Sequence, residues 1–187
     1  MNPLLWSLKA DFPVSLFFAT LPPEPLRPVI AGLGDHIGRA HRLRGAVIAR
    51  ERLHNTLASV SDRRFSLEKN IERAKRVGAD MRCPPFAVRF DWTQSFRGNA
   101  YRHPFVLRGD DGLMSLTAFR QDLREQMLRA GFAAPQSYTP HVTLLWADRC
   151  VDAYPIAPIG WLVRDFALIL SLQGLGRHIP VARWSLR

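Results

Sequence analysis

Two short segments of the 187-residue chain repeat one another. Leu53-His54-Asn55-Thr56-Leu57 and Pro140-His141-Val142-Thr143-Leu144 each carry the tetrapeptide His-x-Thr-Leu, one in each half of the chain. Both fall in β-prone stretches. Side chains alternate across a strand, so the His and the Thr leave by one face and the Leu by the other, toward a core. Two such strands set side by side about a pseudo-twofold axis would make a cleft walled by two imidazoles, His54 and His141, and two hydroxyls, Thr56 and Thr143. That set is sufficient for phosphodiester cleavage. A neutral imidazole can take a proton from an attacking water, and a protonated one can give a proton to the departing oxygen. Histidine is the side chain whose ordinary pKa lets both states coexist near neutrality. The hydroxyls can hydrogen-bond the non-bridging oxygens as charge builds on them. No carboxylate cluster flanks either motif, so no metal and no cofactor is expected.

The elements around these motifs are readable from periodicity. Val14–Thr20 is an apolar β-prone run. Leu26, Val29, Ile30, Leu33 and Ile37 have helical spacing, and His41–Glu51 reads as a loop or edge strand. Leu53–Val60 is the first motif strand. Ser66 is a candidate N-cap for a helix carrying Leu67, Ile71, Ala74 and Val77 and ending at Gly78. Phe86, Val88, Phe90 and Trp92 alternate with polar or small residues, as in a half-buried strand. Pro104–Arg108 is the next strand. Leu113, Leu116, Phe119, Leu123 and Met127 form a helical stripe that ends near Gly131. Tyr138–Ala147 is the second motif strand. Trp161–Leu172 and Ile179–Leu186 read as a closing pair joined through Gly174 and Gly176. The order β-α-β-α-β-β-α-β-β-β favours an α+β fold with antiparallel sheets, in a single domain over residues 1–187.

The net charge is +10, nearly all of the cationic excess being arginine. Arginine grips phosphate with two hydrogen bonds, so the charge suits a polyanion such as RNA. An arginine-rich solvated surface has the same composition, and composition alone leaves both open. Cys83 and Cys150 match no metal-ligand spacing and read as ordinary thiols. The first eleven residues lack the apolar core of a secretory leader, and no stretch is long and apolar enough for a membrane span. A cytoplasmic monomer is therefore expected.

Other residues suggest themselves around the motifs. One ring of Phe17 and Phe18 could stack on a nucleobase, and alternation allows only one of them to face the cleft. Tyr101, Arg102 and His103 form a basic aromatic patch, read as a solvated loop that could grip RNA. Arg42, Arg44, Arg50 and Arg52 precede the first motif as an exposed basic run able to touch phosphates. His36, His41 and His178 have no repeated context and receive no role.

From about Ser15 to Asp148 the sequence resembles the 2H phosphoesterase superfamily, and within it the RNA 2′,3′-cyclic phosphodiesterases, also called LigT-like or 2′-5′ RNA ligases. The likeness rests on Leu16-Phe17-Phe18-Ala19 before Leu21-Pro22, on both tetrapeptides, on the aromatic strand near Phe86–Phe96, and on the long helix before Thr139-Pro140-His141. It implies a bilobal fold with an antiparallel sheet and flanking helices in each lobe and the site between. It implies hydrolysis of an RNA 2′,3′-cyclic phosphate to a 2′-phosphomonoester. His54 would protonate the departing 3′ oxygen, His141 would activate water, and Thr56 and Thr143 would hold the phosphate. A 2′-5′ RNA ligase, a 2′,5′-phosphodiesterase or a non-catalytic RNA-binding module would share the same residues. Asn55 stands where the family has an apolar residue, and Trp146 where it often has an arginine. Arg149 is the candidate to supply that charge.

Overall fold

The computed structural model describes residues 13–98 and 102–187. Tyr101 of the basic aromatic patch, and the first eleven residues on which the leader reading rests, lie outside the described residues. The chain runs β1 (Val14–Thr20), α1 (Arg27–Ala40), β2 (Gly45–Val47), β3 (Asn55–Val60), α2 (Leu67–Asp80), β4 (Phe86–Ser95), β5 (His103–Arg108), α3 (Met114–Arg129), β6 (Val142–Ala147), β7 (Tyr154–Val163), β8 (Asp165–Leu172) and β9 (Arg177–Ser185). Two antiparallel sheets result, ordered β3-β1-β8-β9 and β2-β6-β5-β4-β7. The architecture is α+β, with one histidine motif strand in each sheet.

Local chemistry accounts for the helix limits. The Ser66 hydroxyl accepts from the Lys69 amide and caps α2, as its sequence position anticipates. Gly131 adopts φ 77° just past α3, its amide donating to the Leu128 carbonyl while the Phe132 amide donates to that of Met127. This pair of bonds is the glycine-terminated C-cap. Leu116, Phe119, Leu123 and Met127 form the buried stripe of α3. One continuous cluster of buried apolar residues joins the helices to both sheets. On the other face of the first sheet Phe17, Ala19, Ala167 and Ile169 form a small separate cluster, facing away from Phe18 and the main core.

Three elements depart from the sequence reading. The expected single strand Trp161–Leu172 is the end of β7 plus β8, broken at Arg164, where the chain passes from the second sheet to the first. The continuous apolar run hides that crossing. Pro155, Pro158 and Gly160 conceal the start of β7, but β7 is an edge strand, where a missing amide donor is tolerated. The alternation of β4 also breaks. Its pairing with β7 slips between Phe90 and Trp92, so Thr93 is fully buried and Trp92 is 39% exposed, instead of continuing the buried row. His41–Glu51, expected as a loop or edge strand, does contain the short edge strand β2, followed by a 3-10 turn at Arg50–Arg52.

The approach of α2 to β9 is close enough to test. A Cβ on Gly78 would fall 2.5 Å from the Trp184 ring, which is stacked on Phe166 with centroids 5.0 Å apart. A helix-interior Gly→Ala change ordinarily stabilises by up to ~1 kcal/mol. Here overpacking against a fixed indole outweighs that gain, and Gly78→Ala is expected to destabilise by about 1–3 kcal/mol. Urea denaturation of the two proteins checks the sign.

Candidate active site

His54 and His141 each stand one residue before their strand, and the two are held alike. His54 Nδ1 lies 2.6 Å from the Arg52 carbonyl oxygen, and His141 Nδ1 lies 2.7 Å from that of Thr139. A carbonyl can only accept, so each Nδ1 carries the hydrogen and donates it. Nε2 is left on both rings as the nitrogen that gains or loses a proton. An aromatic ring steadies each imidazole. Phe17 stacks on His54 with centroids 5.0 Å apart and an interplanar angle of 29°, and Phe96 meets His141 edge-on at 5.0 Å and 76°.

The motif strands share a second feature. Phe18 faces Ala58 and Ala19 faces Thr56, so Leu57 is an extra residue in β3. Phe105 faces Leu145 and Val106 faces Thr143, so Leu144 is an extra residue in β6. Each tetrapeptide thus ends in a β-bulge at its leucine. The bulges put two successive residues inward, Leu57 with Ala58 and Leu144 with Leu145, all buried. They return the next residue to the threonine face. Ser59 opposite Phe17 shares a face with Thr56, which is opposite Ala19. Trp146 opposite Pro104 likewise shares a face with Thr143, which is opposite Val106. Trp146 is therefore on the site's side of its sheet, and the Arg102 guanidinium lies 4.9 Å from its ring centroid.

Asn55 ties the motifs together. Its side chain, 1% exposed, donates through Nδ2 to the His141 carbonyl at 2.8 Å and accepts at Oδ1 from the Tyr138 hydroxyl at 2.7 Å. The His141 carbonyl can only accept, which turns Nδ2 toward it and leaves Oδ1 for the Tyr138 hydroxyl, whose pKa burial pushes well above its usual value. Beyond Tyr138, the guanidinium of buried Arg120 sits 5.1 Å from the phenol centroid and donates to the carbonyls of Leu57, Pro135 and Gln136.

Burial, the largest cause, lowers the pKa of both His54 and His141. Their carbonyl partners oppose it, and for His54 the nearby charges of His141 and Arg52 add to it. A third histidine is present. His178 on β9 meets His54 edge-on at 5.0 Å and Phe17 at 5.5 Å, and burial, His54 and Arg52 bring its pKa to about 4.

The structure thus brings the His54 and His141 motifs together, with Thr56 and Thr143 half-buried beside them. It treats the other candidates differently. Phe17, not Phe18, is on the site's face, as alternation requires, but its ring is 7% exposed and covered by His54 and His178. It supports the His54 imidazole rather than offering an open platform to a base. Arg149 follows the far end of β6 from His141 and donates to the His41 carbonyl, beside Tyr154. It lies two residues past the end of β6 and three beyond Trp146. His103 accepts from the Gly98 amide and closes its own loop. Arg50 pairs with Glu51 at the exposed surface. Arg52, placed by the sequence in a basic run before the first motif, lies beside His54, whereas His178 as a neighbour of His54 was missed. No spacing signals His178, because β9 reaches His54 only through the sheet order.

The residues match a known class of protein. The family model of the 2′-5′ RNA ligase superfamily matches residues 22–171. The chain belongs to that superfamily, as a LigT-like 2H phosphoesterase. Among solved structures it is similar to a phosphoesterase (27% identity, TM-score 0.72, covering 93% of this chain and 99% of that one). It is similar to Escherichia coli LigT in complex with 3′-AMP (26%, TM-score 0.67, 94% and 99%). A Thermus thermophilus protein, at 21% identity and TM-score 0.69 over 92% and 98%, shares the fold. No curated protein matches the sequence.

Asn55→Ala would strand the His141 carbonyl and the Tyr138 hydroxyl. A loss of about 1–3 kcal/mol in unfolding free energy is expected, together with reduced activity because His141 loses its anchor. Tyr138→Phe keeps the ring over Arg120 and should cost less in both measurements.

Proposed function

We propose that the chain, acting as one bilobal unit, hydrolyses RNA 2′,3′-cyclic phosphate ends to 2′-phosphomonoesters without a metal. The observation that carries this reading is the matched pair of imidazoles, each with Nδ1–H spent on a main-chain carbonyl and Nε2 left to titrate. In the cyclic phosphate, water attacks phosphorus from the His141 side and gives its proton to neutral His141 Nε2. The P–O3′ bond breaks and O3′ takes the proton from protonated His54 Nε2. The product has a 2′-phosphate and a free 3′-hydroxyl. The pair ends with its protonation states exchanged, to be reset through solvent. Thr56 and Thr143 hydrogen-bond the non-bridging oxygens.

Solved structures of a relative support a phosphate-bearing substrate. E. coli LigT has been solved with 3′-AMP, phosphate, ATP and NADP+, all of which carry a phosphate group, and three of which are nucleotides. No described helix is long and apolar enough to cross a membrane. The family's own description favours a second reading, joining of RNA ends through a 2′-5′ bond. The same acid–base pair serves it, since each step is the reverse of the hydrolytic one.

Incubation with an oligonucleotide 2′,3′-cyclic phosphate should release a 2′-phosphomonoester, undiminished in EDTA. His54→Ala or His141→Ala should lower the rate by at least ~100-fold while the fold persists. Turnover that needs added metal, or survives both substitutions, sinks the proposal; a joined product supports the ligase reading. The pH profile is a separate test. Depressed values on both histidines mean that the protonated acid survives only at lower pH. The kcat/KM bell is therefore expected to peak below the free imidazole value of about 6.5.

A further inference from the structure

Arg52 has no carboxylate. Its Nε is buried with no hydrogen-bond partner, and its guanidinium makes no ion pair among the described residues. Every other unpartnered buried arginine nitrogen among these residues belongs to Arg108, whose guanidinium does reach Gln94 and Asp110. Arg52 is half-buried and lies against the β8–β9 turn, where a Cβ on Gly176 would come 3.6 Å from its Nη1. Two residues on is His178, whose ring meets those of His54 and Phe17. Arg52 is also chained to the catalytic ring, since its carbonyl holds His54 Nδ1. Three groups able to carry positive charge, Arg52, His178 and His54, thus crowd one flank of the site. None of them makes an ion pair with Asp or Glu among the described residues. With both imidazoles driven toward the neutral form, Arg52 is the standing positive charge of this flank, and an anion bound beside it would favour protonation of His178 and His54.

We propose that Arg52 and His178 form a second phosphate subsite beside His54, which takes the 5′ phosphate of the nucleotide whose 2′,3′-phosphate lies between His54 and His141. The subsite rests on the functional reading above and sharpens it to RNA ends carrying a 5′ phosphate or phosphodiester, in preference to 2′,3′-cyclic mononucleosides. A phosphodiester there accepts from the guanidinium in charge-assisted hydrogen bonds, and the imidazole of His178 donates to it in either protonation state. Phe17 backs both imidazoles, so the phosphate meets a pre-formed surface and few side chains must be ordered on binding.

Binding tests this without any turnover. The probes are adenosine 3′,5′-bisphosphate and 3′-AMP, titrated calorimetrically against the full chain. The bisphosphate is expected to bind roughly tenfold tighter, the worth of a charge-assisted contact, with steeper salt dependence. In Arg52→Gln that ratio should collapse to within about twofold, and in His178→Gln it should shrink by a smaller factor. Arg52→Lys should keep part of it, because the charge remains without the fork. Equal affinities in the unaltered protein, or a ratio untouched by both Arg52→Gln and His178→Gln, overturn the subsite. A retained ratio change with no hydrolysis of cyclic phosphate leaves the subsite standing and removes the phosphodiesterase reading instead. Thermal melts of each variant identify any that fails to fold, and His178→Gln then carries the test.

Discussion

A single buried amide sets the geometry of the site. The two histidines belong to different sheets, and their separation depends on how those sheets are clamped. Asn55 supplies the clamp by spanning from the first motif to the main chain of the second, at the His141 carbonyl. A buried amide is costly if any of its hydrogen bonds is unmade, so it tolerates little drift between the strands. Tyr138 and Arg120 extend the same constraint into α3 and the segment leading to β6. The departure at Asn55 from the apolar residue usual in the family is therefore where this chain fixes its two halves together.

The paired bulges do the complementary work within each lobe. A regular strand would place the residue after Thr-Leu on the threonine face and the one beyond it inside. The extra leucine reverses this, burying Leu57-Ala58 and Leu144-Leu145 as doublets and turning Ser59 and Trp146 back beside the threonines. The third site-facing position after each His and Thr thereby falls on Ser59 and Trp146 rather than on Ala58 and Leu145. In the second lobe that position is an aromatic ring topped by Arg102, so the cation an arginine would carry directly is presented on an indole instead.

Much of this was legible in residue types and spacing, for definable reasons. The histidine pair is local, each member being marked by its own tetrapeptide, and the Ser66 cap and Gly131 stop are local chemistry as well. What escaped depends on pairing between distant strands. The β7–β8 break at Arg164 is a change of sheet inside one apolar run. The reversal at Trp92 comes from a slip against β7. His178 reaches His54 only because β9 is in the same sheet as β1 and β3. Arg149, close in sequence to Trp146, lies past the end of the strand and donates to the His41 carbonyl, a partner that no spacing announces.

The electrostatics of the cleft follow from which groups are absent as much as from which are present. Burial drives protons off all three histidines, neighbouring positive charge adds to it at His54 and His178, and among the described residues no carboxylate makes a hydrogen bond to His54, His141 or His178 to hold them on. A histidine held by a carboxylate would keep its proton in the empty site. A histidine held by a carbonyl is oriented but not charged, so its pKa stays free to respond to what binds. An entering phosphodiester brings the negative charge that the site lacks and raises the pKa of whichever imidazole it approaches. On the proposed reaction, protonation of the acid would follow from substrate binding, and the anion to be cleaved would prepare the group that completes its cleavage.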